Sequence, residues 1–151
     1  MPEVRFEVEG FDELRKKYQK APEKFDKVIE RTMDASLLVL HENVPPYPER
    51  QSDYVRTGTL GKSFGADMKG GKQGKADIDQ VKREGNYIVG EFGSKLNYAP
   101  YVVSELKQAR IHQGIWWTII KIAKNSQRKI EGLFRIAAEE LAKWLDENPL
   151  L

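Results

Sequence analysis

The stretch from Pro22 to Asn43 constrains the fold more than any other part of the chain. Phe25, Val28, Ile29, Met33, Leu37, Leu40 and Val44 recur at steps of three and four. That spacing lines up side chains on one face of an α-helix. Asp26, Lys27, Glu30, Arg31 and Asp34 fall off the stripe, while Leu38 and Val39 widen it. The second half of this helix is therefore expected to be buried on two sides. Pro45 and Pro46 end it, because proline lacks a donor and disfavours helix in the residue before it. So long an apolar stripe must be covered by another layer of structure.

A second helical pattern runs from Ile115 to about Glu147. Trp116, Ile119, Ile120 and Ala123 form one stripe; Ile130, Leu133, Phe134, Ala137, Leu141, Trp144 and Leu145 form another. The intervening "KNSQ" leaves a break, a kink or a continuous helix open. In this register Trp116 faces the core and Trp117 lies nearer the periphery, since neighbours on a helix are about 100° apart. Strand signals are shorter. "VRFEVEG" alternates Val4, Phe6 and Val8 with charged residues, and "ADIDQVKREGNYIVGEFG" reads as a hairpin turning at "REGN". "FDELRKKYQK" suits a short helix, "TLGKSFGADM" a helical turn leading into a strand, and residues 101–107 a further helical turn. "KGGKQGKAD" has three glycines and three lysines in nine residues and reads as a flexible loop. The expected fold is α+β: one domain over residues 1–151, with a small antiparallel sheet packed against two long amphipathic helices. A long extended loop separates the first helix from the sheet, and a flexible arm covers about 45–76.

Composition narrows the function classes. There is no cysteine among the 151 residues, which excludes disulfides, thiolate catalysis and cysteine-ligated zinc. The start of the chain has no apolar signal core, and its longest apolar run, "IWWTIIKIA", is too short to span a membrane. Net charge is only +2, with residues 45–114 the most basic third at 11 basic against 8 acidic side chains.

Sites for chemistry are sparse. "GTLGKS" has only two residues between its glycines, whereas a phosphate-cradling P-loop needs four. His41 and His112 are the only histidines, and neither sits in a metal-ligand spacing. No nucleophile elbow occurs. No catalytic residue, metal or cofactor is expected. Residues 50–83 hold eight basic and four acidic side chains, which makes a nucleic-acid-binding module the alternative function. Tyr47, Tyr54, Tyr98, Tyr101, Trp116 and Trp117 cluster around proline-rich or irregular segments. Such half-polar aromatics are frequent at interfaces. Tyr47, Arg50, Tyr54, Arg56 and Trp117 are the interface candidates.

Taken together, "YPERQSDYVRTGTLGKSF", "NYAPYVV" and "HQGIWWTI" resemble the minor tail or neck proteins of long-tailed bacteriophages and prophages, including tail components and tail-completion proteins. Members open with a strand and Gly-hydrophobic-x-x-Leu, here Gly10, Phe11 and Leu14. A long helix, a proline and a T-G-x-L-x-x-S motif follow, here Thr57, Gly58, Leu60 and Ser63. After a hairpin comes Y-A-x-Y-V, here Tyr98, Ala99, Tyr101 and Val102, and a C-terminal helix closes the chain. The order is kept over nearly the whole length. One departure is that Val103, Ser104 and Glu105 stand where many members have Glu and then Gly. The resemblance implies a non-enzymatic virion protein of the head–tail junction or upper tail, made in the bacterial cytoplasm. It would act in tail completion or head–tail joining as a ring of identical copies, six-fold being one arrangement. Its partners would be itself, head-closure proteins and tail proteins, near DNA in the neck channel. Thr57, Gly58, Leu60, Ser63, Tyr98, Ala99, Tyr101 and Trp116 would be structural motif residues; Thr57 and Gly58 would shape the turn where the arm re-enters the sheet, anchored by Leu60 and Phe64.

Overall fold

A computed structural model describes residues 3–6, 22–45, 58–66, 74–85 and 87–148. Its elements in order are β1 (Glu3–Phe6), α1 (Pro22–Glu42), α2 (Thr59–Ser63), β2 (Ile78–Glu84), β3 (Tyr87–Gly93), α3 (Ala99–Val103) and α4 (Ile119–Glu147). A single 3-10 turn, Arg110–His112, precedes α4. The strands form an antiparallel sheet in the order β1-β3-β2. The α+β expectation holds, with both long helices and the hairpin in their expected places. The proposed short helix over residues 11–20, the loop over 69–73 and most of the arm lie outside the described residues.

All seven stripe residues, six in α1 and Val44 just after it, are buried. Val39 joins them, but Leu38 does not: it is 57% exposed, so the apolar face widens on one side only. Small polar residues on the buried side are satisfied within the helix. Thr32 Oγ1 donates to the Val28 carbonyl and Ser36 Oγ to that of Thr32. This leaves no orphan polar atom at those positions. Helix α1 packs on the sheet and on α4. The helices run antiparallel, with Glu42 opposite Lys129 at 3.4 Å and Arg31 opposite Glu140 at 2.5 Å.

Helix α4 is one continuous helix of 29 residues, about 43 Å at about 1.5 Å per residue. "KNSQ" does not break it because Ser126 turns inward. Its Oγ donates to the Ile122 carbonyl and accepts from Asn43 Nδ2. The first stripe is corrected by one position. Ile119, Ile122 and Ser126 are buried, while Ile120 is exposed.

The sheet pairs Val4 with Phe92, and Arg5 and Gln80 with Glu91. Val4 and Phe92 enter the core beneath α1. The other face carries a charged network. Lys82 Nζ lies 2.8 Å from the carboxylate of buried Glu91 and 3.1 Å from that of Glu84. Gln80 Nε2 donates to Glu91 at 2.7 Å, and Arg5 pairs with Glu84.

Hydrogen bonds from Lys82 and then Gln80 hold the Glu91 carboxyl below its ordinary range. A bond from Lys82 does the same for Glu84. The bonds to Glu91 and Glu84 raise the Lys82 ammonium in return. A carboxylate whose folded pKa is depressed stabilises the fold above its unfolded value, and that contribution is lost as pH falls through the folded one. The raised lysine contributes below its unfolded value and loses that as pH climbs through the folded one. Glu91→Gln is therefore expected to lower stability at pH 7 and to flatten its decline below about pH 4.5. Urea unfolding across a pH series measures both.

Candidate assembly surface

The described parts of the three segments contribute Leu60, Phe64, Ala99, Val102, Val103 and Trp117 to one core. Gly58 takes the left-handed conformation, with φ at 79°, which costs little only for glycine. It stands at the start of α2, whose Leu60 and Ser63 are buried. Ser63 Oγ donates to the Leu60 carbonyl at 2.6 Å. Phe64 is fully buried, 6.2 Å from the Phe92 ring and 5.3 Å from the Trp117 ring in an edge-on contact. Ala99, Val102 and Val103 of α3 join the same cluster.

The backbone of this turn is occupied. Lys62 N–H donates to Gly58 O, Phe64 N–H and Ala66 N–H to Gly61 O, and Gly65 N–H to Lys62 O. A phosphate-cradling loop needs such groups free. In the described part of the motif, Ser63 Oγ and these amides bond to backbone carbonyls. His41 Nε2 shares a hydrogen bond with the Gly65 carbonyl at 2.9 Å, so this histidine ties α1 to the turn. No group of three or more potential metal-binding side chains occurs among the described residues. No helix there is long and apolar enough to cross a membrane.

The tryptophan assignment is reversed. Trp117 is 9% exposed and Trp116 only half-buried. The helical register does not reach back to the tryptophans: Thr118 is in extended backbone, with φ −112° and ψ 154°, and α4 starts at Ile119. The two rings, 6.1 Å apart, belong to the segment before the helix. Trp117 is thus a core residue and no interface candidate. Tyr47, Arg50, Tyr54, Arg56 and Thr57 lie outside the described residues. Within the basic 50–83 segment, Lys82 and Arg83 are engaged internally, Arg83 with Asp26 at 2.8 Å.

Exposed apolar side chains recur in the segment that follows. Tyr98 and Tyr101 are exposed, as are Leu106, Ile111, Ile115 and Ile120. Leu106 is 93% exposed. This loop is well held. Ala109 N–H donates to Tyr101 O at 2.7 Å, Gln108 N–H to Ser104 O at 2.8 Å, and Gln108 Nε2 to Val102 O at 2.7 Å. Six exposed apolar side chains thus fall within 23 residues of sequence, residue types that a protein partner would cover. Periodicity could not reveal it, because the loop has none. Charge averaging also missed that residues 106–130 contain six Lys or Arg and no Asp or Glu.

Searches against protein families, curated proteins and solved structures find no match.

Proposed function

We propose that this chain is a structural virion protein of a long-tailed phage or prophage, placed at the head–tail junction or upper tail. It acts in tail completion or head–tail joining by ring-type self-association, with head-closure and tail proteins as neighbours. The supporting observation is the recurrence of exposed apolar side chains from Tyr98 to Ile120 in a segment whose backbone is held by hydrogen bonds. An assembly protein needs exposed apolar side chains held in place by the backbone beneath them. Deleting the gene from a phage or prophage that carries it should leave separate heads and tails, restored by supplying the chain in trans. Joined, infectious particles in its absence would overturn the reading.

The acid-free run 106–130 favours a second reading, a module that binds nucleic acid backbone. Binding of duplex DNA by the purified chain would then fall steeply with salt. The apolar side chains interleaved with these cations favour the protein partner.

A further inference from the structure

We infer that the outward face of α4, in its first half, binds the phosphate backbone of a nucleic acid; this rests on the nucleic-acid reading proposed above and gives it a place. Helix α4 buries Ile122, Ser126, Phe134, Ala137 and Leu141. At about 100° per residue, Lys121, Lys124 and Arg128 fall within about 60° of one another on the opposite side. All three are exposed, and none forms an ion pair with a described residue. Arg135 continues the row, and no apolar side chain shares this face between Lys121 and Arg135. Glu131, the one acid bordering the row in that stretch, accepts a hydrogen bond from Gln127 Nε2 at 2.9 Å. Lys107 and Arg110 of the preceding segment differ, since they adjoin exposed Leu106 and Ile111 in sequence and suit the protein partner.

This row is unfavourable for the helix itself. Lys121 and Lys124 are three apart and Lys124 and Arg128 four apart, spacings at which like charges repel. The start of a helix is also the positive end of its dipole, yet α4 has no acid in its first turn and no base in its last. Its charges run in the order the dipole disfavours, and an anion from outside relieves both conflicts. The row extends about 10 Å from Lys121 to Arg128 and about 21 Å to Arg135, at about 1.5 Å per residue. One small anion cannot meet all of it, whereas duplex DNA carries a negative charge about every 1.7 Å of its axis. Lysine is depleted from the cores of protein–protein interfaces, and a row of cations without apolar neighbours matches phosphate better than a protein surface. Such contacts position a nucleic acid without reading its sequence.

Fluorescence anisotropy of a short labelled DNA duplex, titrated with the purified full chain at about 50 to 200 mM salt, tests this. Three phosphate contacts should make log K fall against log salt with a slope of about −2.7. Lys121→Gln and Arg128→Gln should each flatten that slope by about 0.9, and adding Lys124→Gln to both should abolish binding. Lys124→Glu replaces two repulsions by two attractions, so it should melt higher while binding at least tenfold more weakly. Lys143→Gln, on the same helix beside Glu147, should change neither slope nor affinity. Binding that persists in the triple variant, or is unchanged by Lys124→Glu, overturns the α4 site and leaves the nucleic-acid reading standing. No binding by the unaltered chain at about 50 mM salt overturns both. Equally tight binding of poly-glutamate overturns the assignment to phosphate.

Discussion

Replacing Trp117 by alanine is expected to lower the unfolding free energy by about 3–5 kcal/mol, against about 1–2 kcal/mol for the same change at half-buried Trp116. The Trp117 ring fills the space between the first turn of α4 and the Phe64 ring, 5.3 Å away and nearly perpendicular. Removing it leaves a cavity in the core. Its indole Nε1 is buried and has no hydrogen-bond acceptor among the described residues, so packing is what holds it there. Trp117→Phe should for that reason cost much less, since it keeps the aromatic contact and removes an unsatisfied donor. Urea midpoints of the three variants decide the matter. A larger loss at Trp116 would show that Trp117 is not the ring that seals the core.

The same tryptophans show where sequence reasoning reached its limit. Helical periodicity identified α1 almost to the residue, because Phe25 to Val44 keep one phase and proline marks the end. It also found the second stripe of α4, from Ile130 to Leu145. It failed at the start of α4. The run "IWWTIIKIA" is apolar at nearly every position, so several phases fit equally well. Thr118 in extended backbone then shifts the phase by one residue. The buried small polar residues were equally hidden. Ser126 looks like part of a break, yet its bonds to Ile122 and Asn43 make it part of the helix interface. The exposed strip from Tyr98 to Ile120 was only half legible. Tyr98 and Tyr101 stood out by type, but an exposed Leu106 cannot be told from a buried one without the fold. Leu38 failed for the same reason.

The turn after α2 is the second place where one substitution should have a large effect. Gly65 has φ of 73°, a conformation that costs an L-residue about 1–2 kcal/mol. A Cβ there would lie 2.5 Å from His41 Nε2, 2.9 Å from His41 Cδ2 and 3.0 Å from the Gly74 carbonyl. Gly65→Ala must therefore displace the imidazole and break its 2.9 Å bond to Gly65 O, adding about 1 kcal/mol. The expected total is about 3 kcal/mol, seen as a fall in urea midpoint. His41→Ala alone should cost less, losing the bond and part of the packing on Phe92. In the double variant the alanine Cβ enters space vacated by the imidazole, leaving mainly the backbone strain. The two losses should then fall short of additivity by about 1 kcal/mol or more, as for residues in direct contact. Additive losses would mean that His41 does not hold the turn against α1. The tie between the long helix and the T-G-x-L-x-x-S segment would then have to run through the buried aromatic side of the turn alone.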